Sequence, residues 1–442
     1  MVRRAATAPR AAHRPLLLLL LLSAGPGSTT LALDNGVGLR PVLGWNSWNV
    51  FRDALDEAVV RDTARLLVST GLAAKGYVFL NMDDTWAMAE RNATGWLVAD
   101  PVKFPTPMAQ LVADVHAAGL RFGTYTDVGF QTCAKRAGTY GHETQDASLF
   151  ASWGVDFVKS DSCFTGANAS SQPADGPRCL AAYERFAAAL NHTGRPMVHS
   201  VKGPCGRAAA LQACSPGDAS AIANMRRVGG DVKDDWPSML RVLDDAAALA
   251  NTSRPGFFAD LDILEIGNGG LSPAEERSVF SLWCAVKSPL LLGNDLSKMS
   301  AATLATVGNE ELLRVNQDAR GLAARRVANS ATTGAAAGEQ VWAGPLGTPR
   351  SGGGGSVDEH VVVAFNAGEA PTTMRLDWSA IGVCPASTPL AGCSWDVRDL
   401  WEGNVSSAVS RGFTVSVEAH GSVALRLENK TMAAPHDRRR IN

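Results

Sequence analysis

A lysine, an aspartate and a cysteine close a short apolar run near the middle of the chain. Residues 155–163 read Val-Asp-Phe-Val-Lys-Ser-Asp-Ser-Cys, which is typical of a buried strand that ends on polar residues. Residues two apart on a strand point to the same face, so Lys159 and Asp161 are expected to project together. A neighbouring cation lowers the pKa of a carboxyl group, which suits Asp161 to be a nucleophile or a charge stabiliser. An ion pair or a helix cap is the plainer interpretation of the same residues.

Further acids follow other strand-like segments, and aromatic residues accompany them. The acids are Asp83, Asp84, Asp127, Asp231, Asp260 and Asp262, and the aromatic residues are Trp45, Trp48, Trp86 and Tyr125. A glycosidase needs two carboxylates in opposite protonation states, polar groups that bind hydroxyls and rings that stack on a sugar. A metal site is the rival use of so many acids. The few histidines near these positions argue against zinc and leave a site for a hard cation open.

About eight strand-then-helix units would carry these residues. The strand-like segments are 42–45, 77–80, 121–125, 155–159, 196–200, 221–224, 257–259 and 289–292. Asp53 is a candidate cap for the helix that follows it, and Ser272-Pro273-Ala274-Glu275 is a candidate capping box. Eight such units predict an α/β fold, namely a (β/α)₈ TIM barrel. In this fold the active site lies at the C-terminal ends of the strands. A doubly wound open sheet is the alternative, but its phosphate-binding glycine turn is missing.

After about residue 322 the pattern changes to short β runs separated by turns. These runs are 340–342, 361–365, 373–376, 395–397, 413–417 and 423–427, which predict a C-terminal antiparallel β-sandwich. The glycine-rich stretch 351–356 is interpreted as a flexible hairpin excursion within it. The predicted organisation is therefore a signal peptide at 1–30, a catalytic barrel at 31–322, a β-sandwich at 323–430 and a flexible tail at 431–442.

The N-terminus and the cysteine count indicate the secretory route. Four arginines, an unbroken leucine run at 16–22 and then small residues have the order of a cleaved signal peptide. The 8 cysteines and six N-x-S/T sequons fit an oxidising compartment, so a secreted, extracellular, lysosomal or vacuolar glycoprotein is expected. The formal net charge of −2 argues against nucleic-acid binding. No segment of the mature chain is apolar enough to span a membrane.

Several motifs together resemble one known family. In chain order they are Gly44-Trp45-Asn46-Ser47-Trp48, Asp83-Asp84-x-Trp86, Gly123-x-Tyr125-x-Asp127, Lys159-x-Asp161-x-Cys163, Arg227-x-x-x-Asp231, Asp260-x-Asp262, Glu265-x-Gly267-Asn268 and Val315-Asn316-Gln317-Asp318. The order is similar to that of glycoside hydrolase family 27, the α-galactosidases and α-N-acetylgalactosaminidases. The resemblance covers about residues 31–325, and the β runs after it fit the family's C-terminal domain.

The resemblance implies roles for individual residues. Asp161 would be the nucleophile and Asp231 the general acid/base of a retaining hydrolysis of α-galactosides, which requires a raised pKa for Asp231. The residues that would bind the sugar or line its pocket are Trp48, Asp83, Asp84, Tyr125, Cys133, Lys159, Lys202, Arg227 and Asp262. For Trp48, plain core packing is an equal alternative, and for Arg227 a surface salt bridge is the alternative. No metal and no cofactor are implied, and the enzyme would be a monomer or homodimer.

The family resemblance implies the pairing of only some of the cysteines. Cys133 and Cys163 match a disulfide of the family that would hold the loop beside the nucleophile. Cys384 and Cys393 could close a small loop of the sandwich. The sequence does not pair Cys179, Cys205, Cys214 and Cys284, so their connectivity stays open.

The chain departs from the family where the sugar's 2-hydroxyl would be bound. Family α-galactosidases carry C-E-W there and the α-N-acetylgalactosaminidases carry small residues, whereas this chain has Val201-Lys202-Gly203. Lysine still donates hydrogen bonds to a hydroxyl. The alternatives are therefore an α-N-acetylgalactosaminidase, a β-L-arabinopyranosidase, or a galactoside-binding protein without activity. Retention of Asp83 and Asp84 favours galactose.

Overall fold

The computed structural model describes most of the chain. It covers residues 33, 35–165, 176–202, 219–327, 338–347, 359–384 and 393–429, without the side chains of 176–178. The predicted signal peptide, the glycine-rich stretch 351–356, the C-terminal tail at 431–442, Cys205 and Cys214 lie outside the described residues. None of the helices in the covered ranges has the length and apolar character needed to cross a bilayer.

Eight parallel strands form one curled sheet, which confirms the predicted barrel. They are β1 Leu43–Asn46, β2 Phe79–Asn81, β3 Arg121–Asp127, β4 Phe157–Asp161, β5 Val198–Val201, β6 Met225–Arg227, β7 Phe258–Asp260 and β8 Leu290–Leu292. Strands that follow one another in the chain are paired up to β7, and β1 also pairs with β8. Leu264, just after β7, forms a parallel bridge with Leu292, and its N–H donates to the Leu291 carbonyl at 2.7 Å. This bridge joins the two ends of the sheet.

Helices connect the strands, and the longer ones bury apolar side chains. The described α-helices are α1 Trp48–Phe51, α2 Glu57–Ser69, α3 Met108–Ala117, α4 Glu143–Trp153, α5 Gly176–His192, α6 Trp236–Leu249, α7 Pro273–Ala285, α8 Ala301–Val307 and α9 Glu310–Asn316. Ser272 and Glu275 form the predicted capping box at the start of α7. On α2, Val60, Ala64 and Leu67 are buried at the spacing of one helix face.

Two local predictions are wrong. The cap of α2 is Asp56, which has an extended backbone and accepts a hydrogen bond from the Val59 N–H, while Asp53 lies in the preceding 3-10 turn. The sixth strand is β6, Met225–Arg227, and the predicted segment 221–224 is the turn that leads into it. The apolar run at 221–223 suggested a strand, whereas β6 itself carries two arginines inside the barrel wall.

The C-terminal part forms the predicted antiparallel sandwich. Its strands are β9 Arg325–Val327, β10 Glu339–Leu346, β11 Glu359–Asn366, β12 Thr372–Asp377, β13 Ser394–Asp399, β14 Val405–Ser410, β15 Gly412–Val417 and β16 Ser422–Glu428. One sheet has the order β14-β13-β16-β11-β10-β9, and β12 pairs with β15. Met374 and Leu376 of β12 share an apolar cluster with Val362 and Leu425 of the larger sheet. Strands β9 and β14 were not predicted.

Helix α7 lies at the interface between the barrel and the sandwich. The Ser278 hydroxyl donates to the His420 carbonyl at 2.8 Å, and the Trp401 indole N–H donates to the Ser281 hydroxyl at 3.0 Å. Phe280 of α7 and Val363 of β11 are both fully buried and belong to one apolar cluster. The two units therefore share a hydrophobic core.

Candidate active site

The carboxyl ends of the barrel strands surround a cavity of about 870 Å³. This volume lies within the roughly 300–1,000 Å³ of small-ligand pockets. Residues from the ends of seven strands, β1 to β7, or from the loops that follow them reach it. All the predicted site residues line it: Trp48, Asp83, Asp84, Tyr125, Cys133, Lys159, Asp161, Lys202, Arg227, Asp231 and Asp262. Parallel strands bring their C-terminal ends together, which explains why residues far apart in the sequence meet here.

Asp161 is the last residue of β4 and faces the cavity from its floor. The residue is 4 % exposed, and its Oδ1 accepts a hydrogen bond from the Ser162 N–H at 2.9 Å. Its Oδ2 lies 3.6 Å from the Lys202 ammonium. The carboxylate therefore has one oxygen held by the backbone and one directed toward a cation at the edge of the cavity.

Asp231 lies in the loop after β6, opposite Asp161. Its side chain is 64 % exposed and contacts two cations, Lys202 at 3.1 Å and Arg227 at 3.3 Å. Desolvation would raise the pKa of Asp231, but the charges of Lys202, Arg227 and Lys159 outweigh it and lower the pKa to about 2. The pKa is therefore lowered, whereas the resemblance to the family implied a raised pKa for Asp231. In this structure, Asp231 is a carboxylate.

Lys202 follows β5 and lies between the two acids. Its N–H donates to the Ser160 carbonyl at 3.2 Å, which continues the sheet pairing past the end of the strand. The ammonium contacts one oxygen of Asp161 and one of Asp231, so these two oxygens are no more than about 7 Å apart. This limit is compatible with the separation of roughly 5–5.5 Å between the two catalytic carboxyl groups of retaining glycosidases. The side chain is 26 % exposed, so solvent reaches the ammonium.

Arg227 is a buried part of the site, and the surface salt bridge considered for it is wrong. Its side chain is only 5 % exposed, and its guanidinium lies 2.5 Å from Asp262. Burial disfavours the charged form of Arg227, but Asp262, Asp260 and Asp231 together raise its pKa. Burial in turn raises the pKa of the neighbouring Asp260 to about 6, against the opposing charge of Arg227.

A second cation is fixed on the other side of Asp161. The Lys159 ammonium lies 2.8 Å from Asp83 and 5.2 Å from the centre of the Tyr125 ring. Burial would lower the pKa of Lys159, but the carboxylates of Asp83, Asp161 and Asp262 raise it, so the side chain is positively charged. The predicted pairing of Lys159 with an acid is therefore present, but the acid in direct contact is Asp83.

Asp84 and a disulfide hold the loop after β3 over this side of the cavity. Burial raises the pKa of Asp84, whose Oδ2 accepts from the Ala134 N–H at 2.9 Å. The predicted disulfide between Cys133 and Cys163 is present, with the two Cα atoms 5.2 Å apart. Asp127, fully buried, accepts from the Cys163 N–H at 2.8 Å and thereby ties the disulfide to β3. The loop is thus covalently fixed beside Asp161.

The two tryptophans of the N-terminal motif differ in environment. Trp45 is fully buried, and its indole N–H donates to the Asn294 carbonyl at 2.9 Å, so it is a core residue. Trp48 lines the cavity and can present its ring to a ligand.

Glu265 is a cavity residue to which the sequence assigned no role. Its carboxylate accepts hydrogen bonds from the Asn49 amide at 2.6 Å and from the Asn268 amide. Burial raises the pKa of Glu265 to about 7. The Glu-x-Gly-Asn motif was visible, but the contact with Asn49, which is far away in the chain, was not.

One group within the described residues has the spacing of a metal site, namely Asp127, Cys133, Asp161 and Cys163. The two sulfur atoms are joined in a disulfide and are therefore not thiolate ligands. The remaining pair of carboxylates is an incomplete donor set for a hard cation.

Comparisons with known proteins agree on one family. The family model described as Alpha galactosidase A matches residues 40–318, and the one described as Alpha galactosidase C-terminal beta sandwich domain matches residues 337–427. Alpha-galactosidase 3 of Arabidopsis thaliana is 38 % identical over 397 residues (88 % of this chain, 82 % of the relative), and alpha-galactosidase of Cyamopsis tetragonoloba is 37 % identical over 394 residues (88 % and 86 %).

A solved structure gives the same result. The crystal structure of alpha-galactosidase I from Mortierella vinacea superposes with a TM-score of 0.80 at 32 % identity, covering 90 % of this chain and 98 % of that one. Sequence and structure thus agree over both the barrel and the sandwich. The chain belongs to the alpha-galactosidase family, glycoside hydrolase family 27.

Proposed function

We propose that this protein is a retaining α-galactosidase that releases terminal α-linked galactose from galactosides. The observation that carries the proposal is the convergence of Asp161 and Asp231 on one cavity at the catalytic face of the barrel, both within reach of one ammonium. The relatives that match 88 % of the chain are alpha-galactosidases, which supports the choice of sugar.

In the proposed reaction, Asp161 is the nucleophile. Its Oδ2, which faces the cavity and the Lys202 ammonium, forms a bond to the anomeric carbon while the bond from that carbon to the aglycone oxygen breaks. Asp231 donates a proton to the departing oxygen. A water molecule then attacks the glycosyl-enzyme, and Asp231 takes a proton from it. Two inversions at the same carbon leave galactose in the α configuration.

The polar residues around Asp161 are proposed to bind the sugar. Asp83 and Asp84 would accept hydrogen bonds from hydroxyls on the O4 and O6 side, and Lys159 and Arg227 would donate to hydroxyls near the reacting carbon. Lys159 is already held by Asp83, Arg227 by Asp262 and Asp84 by the Ala134 N–H, so little reorganisation is needed when the sugar enters. Trp48 and Tyr125 would pack against the sugar face.

We further propose that the protein enters the secretory pathway and is glycosylated. The basic and leucine-rich N-terminus supports a signal peptide, and the side chains of four sequon residues, Asn92, Asn191, Asn251 and Asn404, are exposed. Enzymatic removal of N-glycans from the secreted protein should lower its apparent mass.

The test is release of 4-nitrophenol from three substrates, the α-galactoside, the α-N-acetylgalactosaminide and the β-L-arabinopyranoside. The proposal expects clear turnover of the α-galactoside, and a loss of about a thousandfold or more in Asp161→Asn, which keeps the shape of the side chain but not its charge. Preferred turnover of either other substrate would change the sugar assignment. Binding of galactosides without any turnover would contradict the enzyme assignment.

A further inference from the structure

The two proposed catalytic carboxylates share a cation that the proposed reaction does not use. Lys202 contacts Asp231 at 3.1 Å and Asp161 at 3.6 Å across the cavity. The backbone hydrogen bond of Lys202 to Ser160 fixes where its side chain starts. A retaining hydrolysis by two carboxylates requires no ammonium between them.

Charges of both signs surround Asp231, but the two charged side chains in direct contact with its carboxylate, Lys202 and Arg227, are both cations. The charged groups that face it or its loop are Lys159 and Asp161 from β4, Lys202 after β5, Arg227 from β6, Asp262 after β7, Lys233, Asp234 and Asp235 in the loop itself, and Arg241 from α6, which donates to the Asp231 carbonyl at 3.0 Å. Arg227 is itself neutralised by Asp262 at 2.5 Å, and Lys159 by Asp83 at 2.8 Å. Within the described part of the chain, Lys202 has no third acid at ion-pair distance, and its direct contacts are with the catalytic pair.

We propose that Lys202 is a positioning residue that keeps Asp231 ionised, so that the enzyme prefers α-galactosides with acidic leaving groups, such as phenols, over those with sugar leaving groups. The inference rests on the proposed hydrolase function and specifies its substrate class. It follows from the contact geometry, and the low pKa of Asp231 agrees with it.

The chemistry of the two steps explains the preference. When the aglycone is a phenol, the electron pair of the breaking bond stays on its oxygen and a phenolate leaves without a proton from Asp231. An alcohol of another sugar is a far poorer leaving group and requires that proton, which Asp231 supplies only in the minor fraction of molecules in which it is protonated. In the second step Asp231 must accept a proton from water, and for this step the ionised form is the correct one. Lys202 thus hinders the first step for sugar aglycones, while it leaves Asp231 in the ionised form that the second step needs.

The test compares Lys202→Met, which removes the charge at similar length, with Lys202→Arg, which keeps it. Lys298→Met is the matched control, because Lys298 is an exposed lysine of a surface ion pair with Asp295. For each protein, kcat/KM is measured against pH with a galactosyl disaccharide and with a series of aryl α-galactosides of decreasing leaving-group acidity.

We expect the methionine variant to hydrolyse the disaccharide about tenfold faster near pH 5 and to keep this activity to higher pH by about one unit, because loss of one partly exposed cation raises the pKa of Asp231. The most acidic aryl galactoside should change little, so the dependence on leaving-group acidity becomes flatter. Lys298→Met should retain the wild-type profile. Lys202→Arg, whatever its absolute rate, should keep the wild-type dependence on pH and on leaving-group acidity because the charge remains. An unchanged pH profile and unchanged leaving-group dependence in Lys202→Met would overturn the inference, since Lys202 would then only bind substrate or be displaced by it.

A measurement independent of turnover separates this inference from the proposed function. Carboxyl ¹³C NMR titration, with the Asp231 signal assigned by its absence in Asp231→Asn, gives the pKa of Asp231 in the wild type and in Lys202→Met. A rise in the variant supports the inference even if no substrate is cleaved, and an equal pKa in both contradicts it. Failure of the wild type to cleave any aryl galactoside would instead contradict the proposed function.

Discussion

Arg227 shows how a single side chain can organise a charged site. It contacts Asp262 and Asp231 while it is almost completely buried, and it donates to the Gly230 carbonyl at 2.8 Å. A buried ion pair is costly to desolvate, so it adds little net stability by itself. Its value here is geometric, because it fixes the loop that carries Asp231 relative to the ends of β6 and β7.

Replacing Arg227 by methionine should therefore destabilise the protein strongly. The change leaves Asp262 buried without its cation, which costs about 3 kcal/mol or more of the free energy of unfolding. Urea denaturation measures this loss. The control is Arg65→Met, since the Arg65 side chain is 65 % exposed and pairs only with Asp62 in the described structure. A loss below about 1 kcal/mol would mean that Asp262 takes up a proton or another partner instead.

Glu265 should make stability depend on pH in one direction. Its pKa in the folded protein is about 7, above its ordinary value of 4.5, so its contribution to stability is fully present below pH 4.5 and is lost as the pH rises through 7. Glu265→Gln has no charge to bury. The stability of the wild type relative to this variant should therefore fall by about 3 kcal/mol between pH 4.5 and pH 8.

Thermal or urea unfolding of both proteins across that pH range measures the effect. Glu90→Gln controls for removal of a negative charge at an exposed site. A difference between wild type and Glu265→Gln that stays constant with pH would contradict the assigned pKa. A difference that changes in the opposite direction would mean that Glu265 is ionised and stabilised by its amide neighbours.

At the scale of elements, the disulfide beside β4 connects stability with the site. Cys133 and Cys163 close a loop of 30 residues, whereas Cys384 and Cys393 of the sandwich close one of 9. Longer loops lose more entropy in the unfolded chain when they are cross-linked. The first disulfide also lines the cavity, and the second lies outside the set of residues that line it.

Replacing both members of each pair by serine makes a matched comparison. The Cys133/Cys163 variant should lose about 2–4 kcal/mol of unfolding free energy, about 1 kcal/mol more than the Cys384/Cys393 variant. It should also show a raised KM for the α-galactoside, because the loop over Asp84 and Asp127 is released. The sandwich variant should keep the wild-type KM. Equal KM values in the two variants would show that the hydrogen bonds of Asp84 and Asp127 hold the loop without the disulfide.

The elements also show where sequence reasoning works and where it stops. Acids that follow apolar runs were located correctly, because parallel strands bring their ends together whatever the intervening chain does. Strand β6 was misplaced because it contains Arg226 and Arg227, of which Arg227 lines the charged cavity, and two arginines break the apolar pattern on which the prediction depends. Strand β14 was missed because its side chains are nearly all exposed and show no alternation. The Lys202 bridge could not be predicted, since it depends on the reach of a side chain 29 residues from Asp231 in sequence.

For the whole molecule, we propose that the chain divides into a barrel up to about residue 322 and a sandwich after it, and that the barrel does not fold alone. Helix α7 belongs to the barrel by sequence, yet it packs against β11 and β16. Fully buried residues of both units, such as Phe280 and Phe365, lie in one apolar cluster. Removal of the sandwich would therefore expose part of the barrel's own core.

A chain that ends at Leu322 should accordingly aggregate or lack a cooperative unfolding transition. Solubility, circular dichroism and thermal unfolding of this chain, compared with the full-length protein, test the expectation. A soluble truncated protein with a sharp transition and α-galactosidase activity would show that the sandwich is dispensable for folding of the barrel.

The central claim is that Asp161 attacks the anomeric carbon of an α-galactoside. The most direct measurement is mass spectrometry of the protein after reaction with a slow fluorinated α-galactoside that traps the glycosyl-enzyme. The account predicts one galactosyl-type adduct per chain, located by peptide mapping on Asp161 and absent from Asp161→Asn. An adduct on another carboxylate, or normal turnover without any trapped adduct on Asp161, would contradict it.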